Sequence, residues 1–208
     1  MLLTQVLSIF GFACYAASLT LIQSEWHLSN FESGFLASSF FIGYVLVVPF
    51  ATTLTDRIDT RQIYLAGGLL ASLGLFGMGY LSTDFHDAWF FLMLHGAGIS
   101  ATYMPGLKII SDRITMGEIT RHISFYTAFF GIGNALSYFV SGLLITQYGW
   151  REAFLITSMG PALAGILAWL GTQRLLGEKS FFEIKFDLKD AFPILRWKKV
   201  LETKEALG

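Results

Sequence analysis

Residues 122–150 read HISFYTAFFGIGNALSYFVSGLLITQYGW, and no Asp, Glu, Lys or Arg occurs among them. A helix needs about 20 apolar residues to cross a bilayer core about 30 Å thick, so this run is long enough to span a membrane. Comparable charge-free runs lie before and after it. The sequence therefore predicts six membrane-spanning helices, at about residues 2–23, 33–55, 62–83, 88–110, 123–147 and 153–173.

The composition supports the same fold class. Of the 208 residues, 54% are hydrophobic and 14% are charged, and the mean hydropathy is +0.58. Average proteins carry about 25% charged residues. A net charge of -1 provides no field that would attract nucleic acid, and Cys14, the only cysteine, excludes an intramolecular disulfide. We expect an all-α polytopic membrane protein whose partner is the lipid bilayer and not a nucleic acid.

The distribution of basic residues predicts the orientation, because Lys and Arg are enriched in cytoplasmic loops. Six crossings put both termini on one side. Basic residues concentrate on that side, at Arg57, Arg61, Arg113, Arg121, Arg174, Lys179, Lys185, Lys189, Arg196, Lys198, Lys199 and Lys204. The opposite loops carry Glu25, Glu32, Asp84 and Asp87. We expect a multi-pass protein of the plasma (inner) membrane with both termini in the cytoplasm.

The chain divides into a six-helix transmembrane domain over residues 1–173 and a polar tail over residues 174–208. Apolar residues after Pro193 alternate with Arg196, Lys198 and Lys199. This pattern is typical of an amphipathic helix on anionic lipid. A solvated linker explains it equally well. We interpret the tail as a cytoplasmic connector that is partly amphipathic.

The loop between spans two and three reads TTLTDRIDTR over residues 52–61. It resembles the loop Gly-x-x-x-Asp-Arg-x-Gly-Arg-Arg/Lys of the major facilitator superfamily. Asp56, Arg57 and Arg61 match, whereas Thr52, Asp59 and Thr60 depart from the pattern. The loop also has the position and the cytoplasmic side that the family requires.

Other segments share the resemblance. The run ESGFL at residues 32–36 opens span two, and Arg121 leads into span five. Residues 149–154 read GWREAF and are similar to the family's turn Gly-Trp-Arg-x-x-Phe. The resemblance implies two six-helix halves, each built from 3 + 3 inverted repeats, around a central path. It implies that this chain is the first half and that Asp56, Arg57 and Arg61 form a loop that stabilises one conformational state.

The same resemblance implies that span four lines the path. His95 is the only ionisable residue well inside a span, and an intramembrane ionisable group is a functional hypothesis by default. A neutral imidazole bonded between helices is the alternative. Thr102 and Tyr103 follow about two turns later and can share its face.

Three further residues are path candidates. Lys108 would favour an anionic solute if it faced the path, or its amine could reach the interface from the helix end. Tyr15 in span one is a packing residue or a ligand. Asn134 in span five is a helix-to-helix contact or a ligand.

The function that follows is a secondary active transporter moving a small polar or anionic solute by alternating access, present as its amino-terminal half. Its partner would be a missing carboxyl-terminal six-helix half or a second copy of the chain. The alternatives are a half-size protein that homodimerises and a membrane regulatory or assembly module that does not transport. No enzyme activity, metal or cofactor is expected, because no catalytic or phosphate-binding motif occurs.

Overall fold

The computed structural model describes residues 1–115 and 117–173, and all regular structure within them is helical. The helices are α1 (Leu2–Ser8), α2 (Cys14–Glu25), α3 (Asn30–Leu54), α4 (Thr60–Tyr80), α5 (Phe85–Ser111), α6 (Ile119–Tyr148) and α7 (Trp150–Gly171). The first two follow each other within the predicted first span, so the seven helices correspond to the six predicted spans. The predicted connector at residues 174–208 and its amphipathic segment lie outside the described residues.

The first span is interrupted, although the amino-acid sequence predicts one continuous helix there. Between α1 and α2, residues 9–13 form turns. In these turns a backbone N–H donates to the carbonyl three residues earlier, as Cys14 N–H does to the Gly11 carbonyl at 3.1 Å. The N–H of Ala13 donates to Ser137 Oγ of α6 at 3.0 Å. A side chain therefore provides the acceptor that hydrocarbon cannot provide where the helix is broken.

Helix α5 lies at the centre of the bundle and packs most extensively against α3 and α4, while α4 also packs along α7. At the crossing of α3 and α5, the two backbones touch. A Cβ atom on Gly43 would overlap the carbonyl oxygen of Met93, and one on Gly96 would overlap the carbonyl oxygen of Phe40. Glycine is required at both positions, as is usual where helices approach closely in lipid.

Helices α3, α4, α6 and α7 are long and apolar enough to cross a membrane, judged by length and composition within the described residues. Of these, α3 and α6 are the least buried. Both display large apolar side chains on exposed faces: Phe31, Val45 and Leu46 on α3, and Phe125, Ile132, Phe139 and Tyr148 on α6. These two faces are therefore available to lipid or to another protein surface.

Two arginines hold the end of α7 at the side predicted to be cytoplasmic. Arg61, from the start of α4, donates to the Thr172 carbonyl at 2.6 Å and pairs with Asp59 at 2.6 Å. Arg113, just beyond α5, donates to the Gln173 carbonyl at 2.7 Å. The carbonyl groups of the first two residues after α7 thus accept hydrogen bonds from the start of α4 and from the loop after α5.

The turn between α6 and α7 depends on Gly149, whose φ is 94° and ψ is 169°. Only glycine adopts this region readily, and other residues there cost about 1–3 kcal/mol. We therefore expect Gly149→Ala to lower the free energy of unfolding by that amount, measured by chemical denaturation in detergent. Gly142→Ala is the control, because a Cβ there meets no atom within 4 Å. Equal stability of the two variants would contradict the strain argument.

Candidate substrate path

Two adjoining cavities lie between the interruption of the first span and helices α3, α5 and α6. Their volumes are about 160 Å³ and about 310 Å³. Phe12, Phe40 and Phe41 line both of them. The two cavities therefore share part of their walls, and we call them together the aromatic recess.

The walls of the aromatic recess are apolar and rich in rings. Within residues 1–115 and 117–173, no Asp, Glu, Lys or Arg lines it. The rings belong to Phe12, Tyr15, Phe40, Phe41, Tyr44, His95, Tyr103, Phe130, Tyr138 and Phe154. The recess can therefore contact an apolar or aromatic body closely and offers few polar groups to orient it.

His95 is the most distinctive polar group of the recess. It is 2% exposed, and its ring centre lies 5.3 Å from that of Phe40. Its Nδ1 is 3.1 Å from the Ala71 carbonyl oxygen of α4, which can only accept, so Nδ1 donates. Its Nε2 is buried and has no hydrogen-bond partner within the described residues. The imidazole thus makes with one nitrogen the helix-to-helix contact that was the alternative to a path role, and its other nitrogen is unpaired among the described residues.

Tyr15 and Tyr103 both line the recess, but their environments differ. The Tyr15 hydroxyl donates to the Ser33 carbonyl at 2.8 Å, so its ring lines the cavity while its polar end joins α2 to α3. The Tyr103 ring lies 5.8 Å from Tyr126 and 5.4 Å from Phe130 of α6. Tyr103 therefore belongs to a cluster of rings between α5 and α6.

Thr102 and Asn134 line neither cavity of the recess. Thr102 is fully buried, and its hydroxyl donates to the Ile99 carbonyl of its own helix at 2.8 Å. Asn134 lies on α6, where its Oδ1 is buried and accepts no hydrogen bond in the part of the chain that the structure describes. The structure brings His95 and Tyr103 to one recess and leaves these two outside it.

Lys108 lies away from the recess, at the other end of α5. Its Nζ is 3.2 Å from Asp56 Oδ1 and 3.5 Å from Asp112 Oδ2. Its charge is thus shared between two carboxylates. The contact joins the end of α5 to the loop between α3 and α4.

The loop residues that match the family pattern have separate environments. The Asp56 side chain is 72% exposed and contacts Lys108. Arg57 is half-buried beside it. Arg61 is mostly buried, and its guanidinium lies 4.8 Å from the ring centre of Trp169.

Several lining residues were not predicted. Phe40, Phe41 and Tyr44 of α3 form one wall of the recess, facing Phe12. Sequence periodicity could not identify them, because a ring that faces a cavity and a ring that faces lipid follow the same helical pattern. Gln5 of α1 was also missed, although it is fully buried with neither side-chain polar atom bonded within the described residues.

The comparisons with known proteins agree on one family. Residues 1–204 match the Major Facilitator Superfamily. The probable sphingolipid transporter spinster homolog 1 of Arabidopsis thaliana is 27% identical over 71% of this chain and 30% of its own length. The niacin transporter NiaP of Acinetobacter baylyi is 27% identical over 70% of this chain and 33% of its own length. The chain thus matches about a third of each relative.

A solved structure shows the same fold at larger size. The inward-facing, unoccupied bacterial homolog of the human lysosomal transporter Spinster aligns with a TM-score of 0.71 and 20% identity. The alignment covers 90% of this chain and 44% of that one. The predicted family and fold class, an all-α membrane protein with six spans, are confirmed. This chain belongs to the Major Facilitator Superfamily and has the fold of one half of its transporters.

Proposed function

We propose that this chain is the amino-terminal half of a secondary active transporter, which moves a small polar solute by alternating access. The observation that carries this proposal is His95, which lies in an aromatic recess with a free ring nitrogen. A polar group left unpaired at that depth is costly, and such groups mark solute or proton paths. The family membership supports a transport function.

The chemistry of the recess bears on the charge of the solute. Lys108 was the reason to consider an anion, and its amine contacts Asp56 and Asp112 instead of the recess. Among the residues that the structure describes, no Lys or Arg lines the recess. We therefore propose that this half contacts a neutral polar portion of the solute, and that any charge on the solute is recognised by the other half.

The partner that we propose is a carboxyl-terminal six-helix half that covers the recess. The support is that the outer faces of α3 and α6 are apolar and largely exposed on the two sides of the recess. A second copy of the chain is the other occupant to test. Detergent-solubilised mass, measured by light scattering, distinguishes a homodimer from a complex with a different half.

We also propose that the protein lies in the plasma (inner) membrane with its termini in the cytoplasm. The basic side would then hold Asp56, Arg57, Arg61 and Lys108. Asp56 is largely exposed despite its contact with Lys108, so it is accessible to the second half when the cytoplasmic side closes. We infer that this loop stabilises the outward-facing state.

Uptake into proteoliposomes tests the function. The chain is produced with a carboxyl-terminal half and assayed with a panel of tritiated solutes that includes niacin, the solute named for the Acinetobacter relative. We expect saturable uptake. His95→Ala should lower kcat/KM about tenfold or more, because a hydrogen-bonding group at the path is lost. Tyr103→Phe should lower it by a smaller factor.

A matched control uses a second histidine of the same helix. His86 is 89% exposed at the start of α5, far from the recess, so His86→Ala should leave uptake unchanged. Uptake that is equal in the His95 and His86 variants would overturn the site. A complex that binds solutes but never accumulates them would favour a membrane module that does not transport.

A further inference from the structure

We propose that the solute is an aromatic or heteroaromatic compound that donates one neutral N–H or O–H hydrogen bond to Nε2 of His95. The proposal rests on the proposed function only for the location of the path. It concerns recognition by this chain alone, so it can be tested without transport.

The first step is the tautomer of His95. The carbonyl oxygen of Ala71 accepts hydrogen bonds and cannot donate, so the proton of the neutral ring is on Nδ1. A charged ring would be costly here, because no carboxylate lines the recess. Nε2 therefore carries a lone pair. A group that satisfies it must be a hydrogen-bond donor.

The second step is the array of rings around Phe40. Its ring centre lies 5.1 Å from Phe12 and 5.2 Å from Phe41, both in edge-to-face geometry, and 5.3 Å from His95. Aromatic rings attract one another in these arrangements beyond their area of contact. A ring placed beside Phe40 would extend the array while its donor reaches the imidazole.

The third step is size and charge. The cavity that His95 lines has a volume of about 160 Å³, close to the roughly 150 Å³ of an engineered apolar cavity that binds benzene. The adjoining cavity of about 310 Å³ leaves room for a second ring or a substituent. The Tyr15 hydroxyl is already bonded to Ser33, so its proton does not compete for Nε2. A compound of one or two rings with one donor fits these conditions.

A matched pair of probes tests the proposal on the 208-residue chain in lipid nanodiscs. Indole and benzofuran have the same bicyclic shape, but benzofuran has an oxygen where indole has its N–H. We expect saturable binding of tritiated indole, and competition by benzofuran that is about tenfold weaker, because it leaves Nε2 unpaired. Equal competition would overturn the acceptor role of His95. Absence of saturable indole binding would overturn the aromatic class.

Two variants separate the contributions of the acceptor and the rings. His95→Phe keeps a ring but removes Nε2, so the preference for indole should disappear while benzofuran binding persists. Phe40→Leu should lower the affinity for indole and for benzofuran alike, about fivefold. His86→Gln, at the exposed start of α5, should change neither. A preference for indole that survives in His95→Phe would assign the acceptor elsewhere.

The outcomes also separate this inference from the proposed function. If His95→Phe does not fold, the comparison of the two probes on the unmodified chain still decides whether the site accepts a hydrogen bond. A chain that prefers indole but never supports uptake would refute the transporter and retain the inference. Uptake of solutes that have no ring or no hydrogen-bond donor would refute this inference and retain the transporter.

Discussion

Replacing Gly96 with alanine is expected to lower the free energy of unfolding by about 3 kcal/mol or more. The new methyl group would overlap the carbonyl oxygen of Phe40, which belongs to the backbone of α3. Overpacking a well-filled core costs typically 1–3 kcal/mol when side chains can adjust. Here the obstacle is a backbone, so the two helices must separate. The loss should therefore lie at or above the upper end of that range.

Chemical denaturation in detergent gives the change in free energy, and the apparent melting temperature should fall by about 10 °C. Gly131→Ala in α6 is the matched control, because a Cβ at Gly131 meets no atom within 4 Å. In an exposed helix position, alanine stabilises by about 0.5–1 kcal/mol relative to glycine. If the Gly96→Ala variant were as stable as the Gly131→Ala variant, α3 and α5 would not cross at this distance.

The partner glycine allows a stricter test. A Cβ on Gly43 would overlap the Met93 carbonyl at the same crossing. Once α3 and α5 have separated to admit one methyl group, the second should cost much less. The double variant Gly43→Ala/Gly96→Ala should therefore lose clearly less stability than the sum of the single losses. If the loss in the double variant equalled the sum of the two single losses, the two glycines would not belong to one crossing of α3 and α5.

Trp150→Ala is expected to cost about 3–5 kcal/mol, the usual range for truncating a buried aromatic side chain. Trp150 is 6% exposed at the start of α7 and packs edge-to-face against Trp26, at 5.5 Å, and Phe154, at 6.2 Å. Its Nε1–H donates to Glu25 at 2.7 Å, and the Arg151 guanidinium lies 4.2 Å from its ring centre. The side chain joins the end of α2 to α7 by packing and by polar contacts.

A second substitution at the same position divides these contributions. Trp150→Phe keeps a ring for packing but loses the donor to Glu25, a hydrogen bond to a charged group worth about 1.5–3 kcal/mol. Since Glu25 also accepts from Arg151 at 3.2 Å, we expect a loss near the lower value. Tyr148→Ala, two residues earlier and 60% exposed, should lose little stability. A loss for Trp150→Ala no larger than that for Tyr148→Ala would contradict its role in packing.

The fold class could be predicted because charged residues are excluded from the hydrocarbon, so they mark the ends of spans in the sequence. The interruption at residues 9–13 could not, because neither proline nor a charged residue marks it. Gly11 lies there within an apolar run that reads like the other spans. The contact that accompanies the interruption is tertiary, since Ser137 of α6 accepts from Ala13 N–H.

The candidate site was only partly predictable. His95 stood out because ionisable side chains are rare inside spans, and it does line the recess. The environment of Lys108 could not be deduced, since its contact with Asp56 comes from a loop distant in sequence. Thr102 shares the expected turn with Tyr103, but adjacent residues of a helix point in different directions. The roles of these residues in transport stay predictions.

The two arginines at the end of α7 have a mechanical consequence. Arg61 belongs to the start of α4 and Arg113 lies just beyond the end of α5, yet both donate to carbonyl groups of the first two residues after α7. The carboxyl end of α7 carries the partial negative charge of a helix terminus, which favours guanidinium groups beside it. Force applied to the chain after residue 173 would therefore be divided among three helices.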